Sequence, residues 1–187
     1  MKNILVFCGS SIGADPIYKK TAIELGIYIA KNNLRLIYGG GNVGLMGAIA
    51  NACLDNGGEV TGIIPHFLAK EVPNLEVTEL IFVETMLERK QLMAQKSDAV
   101  VTLPGGYGTF DELFEELTGR QLGFHKRPIG LLNVNGFYDP LLTMMEKMVE
   151  EGFLKKENKN LLYVSENQEE LFDMMDKNIS TVTTKWL

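Results

Sequence analysis

Short apolar stretches that alternate with longer amphipathic ones restrict the fold of this chain more than any other feature. The apolar stretches contain few polar residues, which is typical of strands buried on both faces of a parallel sheet. They lie at residues 4–8, 34–38, 60–64, 80–83, 99–103, 129–134 and 161–164. Apolar residues at helical spacing predict helices near residues 16–31, 44–56, 86–97, 109–122, 138–151 and 167–178. This alternation predicts an α/β fold, a doubly wound parallel sheet flanked by helices.

The size of the chain favours one compact domain. It has 187 residues, of which 45% are hydrophobic. This is enough for one hydrophobic core but too few residues for two domains with separate cores. We therefore expect a single nucleotide-binding domain over residues 1–187. The segment 66–79, which contains Pro73, is the least regular part, and we expect a loop or short helix there on the surface.

Charge and composition exclude several classes of function. The net charge of −6 argues against a general binder of nucleic acid or membrane surfaces. No apolar run approaches the ~20 residues of a membrane span, and the first residues resemble a strand rather than a signal peptide. Two cysteines, Cys8 and Cys53, and no export signal predict a cytoplasmic protein with reduced thiols. The histidines, His66 and His125, lie outside ligand-spaced motifs, so no metal site is expected.

Glycine-bearing loops follow three of the predicted strands, and each precedes a predicted helix. Ligands of doubly wound sheets bind beyond the carboxyl ends of the strands, where glycine lets the backbone approach them closely. Three such loops on one rim favour a nucleotide-like ligand, and they make Gly9, Ser10, Gly40 and Gly41 possible ligand contacts. The loops are residues 9–11, 39–44 and 104–109.

The second of these loops formally matches the dinucleotide-binding fingerprint through Gly39, Gly41 and Gly44. That fingerprint belongs after the first strand, and an acid should close the following strand. Here it follows the second strand, and the nearest acid, Glu59, opens the next one. We therefore expect no dinucleotide cofactor. A tight turn with close packing and a contact to another ligand both remain open for this loop.

The third loop lies within residues 103–112, with the sequence LPGGYGTFDE. A strand, a glycine-rich turn and a helix N-terminus follow one another here, and this combination suits a phosphate group. Glu112 lies one turn into the helix, within reach of the group that carries the phosphate. Glu115 and Glu116 share its helix face and are expected to be solvated. Because Glu112 faces away from its own core, the pattern motivates a site completed at a homodimer interface.

Arg89 and Lys90 lie beside the apolar stripe of the predicted helix 86–97. Two interpretations remain open for them. They are either long side chains passing the edge of the core or a pair of cations directed at an anionic ligand. His125, in a polar connection between a helix and a strand, is interpreted as structural.

Three of these segments together resemble the Lonely Guy family of cytokinin riboside 5′-monophosphate phosphoribohydrolases, long labelled possible lysine decarboxylases. They are PGGYGTFDE at 104–112, ERK at 88–90 and YGGG at 38–41. The resemblance extends from about residue 6 to about residue 142. It implies a Rossmann-like fold, a homodimer with shared active sites, no cofactor, and hydrolysis of the bond between an N6-substituted adenine and ribose 5′-phosphate.

The resemblance also implies roles for individual residues. Arg89 and Glu112 are expected to be catalytic. Leu87 stands where the family commonly has His, and Gly119-Arg120 stand where it commonly has Trp and a small residue. These two differences are expected to affect the preference for the base more than the class of reaction. The expected substrate contacts are Glu71, Arg89, Lys90, Gly105, Gly106, Tyr107, Gly108, Thr109, Glu112 and Thr118.

The expected mechanism uses the backbone N–H groups of residues 105–109 to hold the 5′-phosphate, so that Glu112 faces the positive charge that develops on the ribose. Two alternatives share these residues. One is a general nucleosidase acting on AMP and other nucleoside monophosphates. The other is a non-catalytic carrier or sensor of a phosphorylated ligand, such as a molybdenum-cofactor carrier. No lysine stands in a context that favours a decarboxylase with a Schiff-base cofactor.

Overall fold

The computed structural model describes residues 1–72 and 76–177. All strands within this part of the chain join one parallel sheet. Each predicted apolar stretch forms a strand, with its ends shifted by no more than two residues. The strands are β1 (Asn3–Phe7), β2 (Arg35–Tyr38), β3 (Glu59–Pro65), β4 (Glu79–Val83), β5 (Ala99–Thr102), β6 (Ile129–Leu132) and β7 (Leu162–Ser165).

The helices cover both faces of this sheet. All the predicted helices are present, and two four-residue helices accompany them. The short helix at residues 66–69 lies in the irregular segment 66–79, where a loop or short helix was expected, and the one at residues 156–159 was not predicted. Pro73 and residue 178 lie outside the described residues. The helices are α1 (Pro16–Lys31), α2 (Gly44–Asp55), α3 (His66–Ala69), α4 (Met86–Lys96), α5 (Tyr107–Gln121), α6 (Asp139–Glu150), α7 (Lys156–Lys159) and α8 (Gln168–Lys177).

The order of the strands places a crevice at the middle of the sheet. The order is β4-β3-β2-β1-β5-β6-β7, so the chain changes direction across the sheet between β1 and β5. Crevices that bind ligands form at such switch points, beyond the carboxyl ends of the strands. Phe7 of β1 pairs with Thr102 of β5, and the Gly9 N–H donates a hydrogen bond of 3.0 Å to the carbonyl oxygen of Pro104. The loops after β1 and β5 therefore lie side by side.

The core consists of two apolar layers, one on each face of the sheet. Ile4 and Val6 of β1 belong to one layer, and Leu5 and Phe7 belong to the other. This arrangement confirms the prediction of a doubly wound sheet; its inner strands are buried on both sides, whereas the edge strand β4 is only partly buried. Both cysteines are buried and remain free thiols. Among the described helices, none has the length and apolar character that a membrane crossing requires.

Candidate active site

A cleft of about 420 Å³ opens at the switch point, beyond the carboxyl ends of β1, β2, β3 and β5. All three glycine-bearing loops contribute to its walls. The cleft therefore lies where the strand order and the loops together predict a ligand. The predicted site residues that line it are Gly9, Ser10, Gly41, Arg89, Gly106, Tyr107, Gly108, Thr109 and Glu112.

The first turn of α5 lines this cleft. Gly106 precedes the helix and provides no side-chain cap, so the first N–H groups of α5 lack the partner that a capping side chain supplies. Thr109 is 4% exposed and lines the cleft. No heavy atom lies within 4 Å of a Cβ built at Gly106 or at Gly108, so the backbone there is open to a ligand. An uncapped helix N-terminus of this kind binds anions.

Gly105 has a packing role instead. A Cβ atom at this position would lie 2.1 Å from Oγ1 of Thr109 and 2.9 Å from the backbone nitrogen of Gly9. The close approach of the loops after β1 and β5 therefore requires glycine here. Gly105 lines a smaller cavity of about 270 Å³ beside the cleft.

Glu112 lies one turn inside α5 and is half-buried in the wall of the cleft. Burial raises the pKa of its carboxyl to about 7; Arg89 and Lys90 act in the opposite direction, while Asp111 and Glu115 raise it further. The group therefore titrates near neutral pH. A carboxyl in a cleft with a strongly perturbed pKa is typical of functional sites.

Arg89 is held against the floor of the cleft by main-chain atoms. Its side chain is 9% exposed. Nε donates to the carbonyl oxygen of Ile63 at 3.1 Å, and Nη2 donates to that of Gly39 at 3.0 Å. Burial lowers the pKa of the guanidinium, and the nearby Glu112 carboxylate opposes this shift. Arg89 and Glu112, which lie 23 residues apart in the sequence, thus meet at one site.

Gly39 provides the space that Arg89 occupies. A Cβ atom on Gly39 would lie 1.9 Å from Nη2 of Arg89, so any other residue would displace the guanidinium. The sequence predicts a glycine-rich loop here but not this role, because the partner lies 50 residues further along the chain. Gly40 adopts φ +80° and packs against Ile63 and Ile64, which confirms close packing for that part of the loop.

The start of α4 is fixed by a capping box. The Glu88 N–H donates to Oγ1 of Thr85 at 3.1 Å, and Oε2 of Glu88 accepts from the N–H groups of Glu84 and Thr85. Such reciprocal bonds satisfy N–H groups that the helix leaves free. They fix the first turn of α4, from which Arg89 enters the cleft.

The remaining predicted contacts lie outside the cleft. Lys90 forms ion pairs with Asp111 at 3.2 Å and with Glu115 at 2.5 Å. Lys90 and Thr118 both line a groove of about 710 Å³ on the outer side of α5, which we call the outer groove. Glu71 is exposed and is not among the residues that line the cleft. Arg89 and Lys90, adjacent in the sequence, therefore face different cavities.

One wall of the cleft is apolar, and the sequence does not predict it. The wall combines α2, β3, α4 and the segment after β3, so no local pattern connects its members. It consists of Val43, Met46, Ile64, Leu68, Val72 and Met86.

Glu116 corrects the prediction of a solvated acidic face on α5. Glu115 is exposed, but Glu116 is only 8% exposed. Oε2 of Glu116 accepts a hydrogen bond of 2.8 Å from Nη2 of Arg127 and lies 3.2 Å from Nε2 of His125. Burial, with Arg127 and Arg120, lowers the pKa of His125 to about 4, although Glu116 acts in the opposite direction. The segment after α5 thus folds back over Glu116.

The fold and cleft define a Rossmann-like α/β protein with an uncapped helix N-terminus at the switch point of its sheet. A solved structure of a molybdenum-cofactor-binding protein from Rippkaea orientalis has the same fold, with a TM-score of 0.71 and 23% identity over 96% of this chain and 99% of that one. The family described as possible lysine decarboxylase matches residues 46–175.

Two curated relatives resemble the sequence more strongly. The chain is 45% identical over 177 residues to a cytokinin riboside 5′-monophosphate phosphoribohydrolase of Arabidopsis thaliana, covering 94% of this chain and 83% of the relative. It is 44% identical to a probable enzyme of the same name from Oryza sativa subsp. japonica, covering 94% of this chain and 72% of the relative. The chain belongs to the cytokinin riboside 5′-monophosphate phosphoribohydrolase family, also called Lonely Guy, and this confirms the resemblance seen in its sequence.

Proposed function

We propose that this protein hydrolyses the N-glycosidic bond of N6-substituted adenosine 5′-monophosphates and releases the free base and ribose 5-phosphate. The observation that carries the proposal is the position of Glu112, a carboxyl with a pKa near 7, one turn away from an uncapped helix N-terminus in the same cleft. A phosphate at that terminus places the attached ribose beside the carboxyl. The names of the relatives support this activity.

The N-terminus of α5 would bind the 5′-phosphate. Backbone N–H groups of its first turn, the loop at Gly106 and the hydroxyl of Thr109 are the donors, and the helix dipole adds favourable electrostatics. Binding at this point fixes the ribose relative to Glu112. Holding a reacting group in place in this way lowers a barrier by several kcal/mol, up to ~7–11 kcal/mol in well-oriented systems.

Glu112 would act on the sugar in its ionised form. As the bond between C1′ and N9 breaks, positive charge develops on the ribose ring, and a nearby carboxylate stabilises that charge or attacks C1′. The electron pair of the broken bond goes to the base, which takes up one proton, and the oxygen of a water molecule forms the new bond to C1′. Arg89 orients the carboxylate and adds positive charge next to the phosphoribosyl group, since a guanidinium stays protonated.

The apolar wall of the cleft favours an alkyl substituent on the base. Met46, Leu68, Val72 and Met86 lie in the same cleft as Glu112. Burying apolar surface contributes roughly 25 cal/mol per Å², so an isopentenyl group at N6 gains contacts that AMP cannot make. We therefore place the protein among enzymes that prefer N6-substituted nucleotides over AMP itself.

A homodimer would complete the site. Thr118 lies in the outer groove rather than in the cleft, so within one chain it does not join Arg89 and Glu112. A second chain packed on the outer side of α5 would bring one chain's outer groove to the other chain's cleft. Phe124 in this groove is 81% exposed, which suits an interface between two copies.

The cleft does not support a lysine decarboxylase. A pyridoxal enzyme needs a lysine for its Schiff base, and no lysine is among the residues that line the cleft in the described part of the chain. A molybdenum-cofactor carrier shares the fold, but a carboxyl beside the anion site offers a pure anion carrier no advantage.

The direct test is to incubate the protein with isopentenyl-AMP, AMP and isopentenyladenosine, and to separate the products by chromatography. We expect free base and ribose 5-phosphate from isopentenyl-AMP, less product from AMP, and almost none from the nucleoside. Equal rates for the nucleoside and its monophosphate would refute the phosphate site. Equal rates for AMP and isopentenyl-AMP would favour a general nucleosidase, and recovery of every nucleotide intact would favour a carrier.

A further inference from the structure

Gly41 differs from its two neighbours in the second glycine-bearing loop. A Cβ atom at Gly39 would meet Nη2 of Arg89 at 1.9 Å, and Gly40 adopts φ +80°, so both positions require glycine. Gly41 shows neither constraint, because its φ lies outside the left-handed region and a Cβ atom built on it would meet no atom closer than 3.6 Å. The fold therefore does not explain why this buried residue has no side chain.

The atoms nearest to the missing Cβ all belong to the apolar wall of the cleft. Cε of Met46 and Cγ2 of Val72 would both lie at 3.6 Å, and Cγ2 of Val43 would lie at 3.7 Å. Gly41 itself lines the cleft together with these three residues. Carbon atoms pack best at about 3.5–4.0 Å, so the glycine leaves a hollow of the size of a methyl group in the wall.

Proteins rarely leave such a hollow unfilled, because its walls forfeit dispersion contacts. Alanine at position 41 would fill it. Where the backbone accepts both residues, alanine also stabilises a protein, since it restricts the unfolded chain. Glycine is, however, the residue that lets a ligand approach the backbone closely. Its presence at this position in the cleft therefore points to space kept for a ligand rather than to a need of the fold.

We propose that Gly41 determines which substituents on the base this protein accepts, because its hollow receives an apolar group attached to N6. This inference deepens the proposed function and rests on it. With the phosphate at the N-terminus of α5 and the ribose beside Glu112, the base is the part of the nucleotide that faces the apolar wall. AMP has only hydrogen on N6 and leaves the hollow empty, whereas the branched end of an isopentenyl group supplies a methyl group that fills it.

Gly41→Ala tests the inference by filling the hollow with a methyl group of the protein. One methyl or methylene group in an apolar pocket changes kcat/KM by roughly 10- to 200-fold. We expect the ratio of kcat/KM for isopentenyl-AMP to that for AMP to fall about tenfold. Because the new Cβ meets no close atom, the Tm should stay at the wild-type value or rise.

A compensating substitution makes the test specific to the hollow. Val72→Ala removes Cγ2, one of the two atoms nearest to the new Cβ, and so reopens space beside Ala at position 41. In the double variant the ratio should recover by about threefold relative to Gly41→Ala alone, because substitutions of residues in contact are not additive. A double variant whose ratio is no higher than that of Gly41→Ala would contradict the hollow.

Two further variants separate selectivity from general damage. Gly39→Ala makes the same substitution two residues away and should lower the turnover of both nucleotides, because its Cβ displaces Arg89. Ala48→Ser adds one atom to a half-buried residue of α2 that lines a groove between α1 and α2 but not the cleft. It should keep the wild-type rates and the wild-type ratio.

A folded Gly41→Ala protein with the wild-type ratio would overturn the inference. Equal losses on AMP and isopentenyl-AMP, or a Tm lowered by about 10 °C or more, would also overturn it, since glycine would then serve the fold. Failure of the proposed function looks different, because the wild-type protein and Ala48→Ser would release no base. The ratio of the two nucleotides' Kd values, measured by calorimetry on wild type and Gly41→Ala, would still decide whether Gly41 sets the selectivity.

Discussion

Glu112 and Arg89 face one cleft but are held there in different ways. Arg89 is fixed by carbonyl oxygens of Gly39 and Ile63, which cannot change rotamer or protonation state. Glu112 is placed by its position on α5, and the charges around it adjust its pKa. The pair thus combines a rigid cation with a carboxyl whose charge responds to pH near neutrality.

Glu112→Gln should abolish most turnover while leaving the nucleotide bound. The amide keeps the shape of the side chain but lacks the negative charge that a cationic transition state requires. We expect kcat on isopentenyl-AMP to fall about 10³-fold, with the Kd of the nucleotide nearly unchanged in calorimetry. Glu150→Gln, the same change at an exposed position on α6, is the control and should lose little. Near-normal turnover by Glu112→Gln would contradict the mechanism.

The activity should rise with pH through neutrality. Because burial raises the pKa of Glu112 to about 7, the carboxylate that the mechanism needs is lost as pH falls below that value. We expect kcat/KM to fall about tenfold per pH unit below pH 7 and to level off above pH 8. Asp111→Asn removes a charge that raises this pKa and should move the inflection to lower pH. An inflection below pH 5 in the wild-type protein would contradict the assignment.

Helical spacing predicts which residues share a face of α5, but it does not predict what covers that face. Glu112, Glu115 and Glu116 are neighbours in the sequence pattern, yet only Glu115 is exposed. Arg127, which lies in the segment beyond the helix, pairs with Glu116. Lys90 and Arg89 are separated for a similar reason. The partner of Lys90 lies on α5, whereas the partners of Arg89 lie near the ends of β2 and β3.

At the level of elements, the start of α4 contributes to the stability of the fold and also positions a residue of the site. Its capping box fixes the turn from which Arg89 extends. Thr85→Ala removes the hydroxyl that accepts from the Glu88 N–H and should lower the free energy of unfolding by about 1 kcal/mol. Thr143→Ala is a matched control, since this exposed threonine bonds a carbonyl inside α6 rather than a helix start. Denaturant unfolding of both variants measures the difference, and equal losses would contradict a specific role for the cap.

The strands were predictable as short, nearly uniform apolar runs, and the long helices because several turns show helical periodicity. The inner strands β1, β2, β3, β5 and β6 are nearly continuous apolar runs because both of their faces are buried, whereas the edge strands β4 and β7 are partly exposed. The four-residue helices α3 and α7 contain a single turn, which has no periodicity to detect. α5 begins at Tyr107, two residues before the predicted start, because glycine and tyrosine at a helix N-terminus resemble the loop that precedes them.

At the scale of the whole molecule, the strand order explains why the candidate site lies where it does. The change of direction between β1 and β5 follows from ordinary rules for parallel sheets, and the sequence therefore predicted the rim that holds the cleft. The outer groove could not be predicted in the same way. A single sequence shows that one helix face lacks an apolar stripe, but it does not show what packs against that face.

The proposed homodimer can be tested by mixing two inactive variants. Glu112→Gln damages the cleft, and Thr118→Arg should damage the outer groove that a partner presents to that cleft. After unfolding and refolding together, half of the dimers should be mixed, and each mixed dimer should have one intact site. We expect about a quarter of the wild-type activity, because sites of a two-fold dimer form in symmetric pairs.

Each variant alone should remain inactive, and sedimentation should show a dimer throughout. An active monomer would refute the shared site, as would a mixture with no activity above that of its components although mixed dimers have formed.

The anchoring of Arg89 by main-chain carbonyls has a consequence for how this scaffold can diversify. Carbonyl oxygens hold the cation whatever side chain residue 63 carries, provided that position 39 remains glycine. In the apolar wall, Met86 contacts Nη1 of Arg89, whereas Val43, Met46, Leu68 and Val72 do not hold the guanidinium and can be exchanged separately. Descendants of such a protein, natural or engineered, are free to acquire new base preferences while inheriting the same chemistry at the sugar.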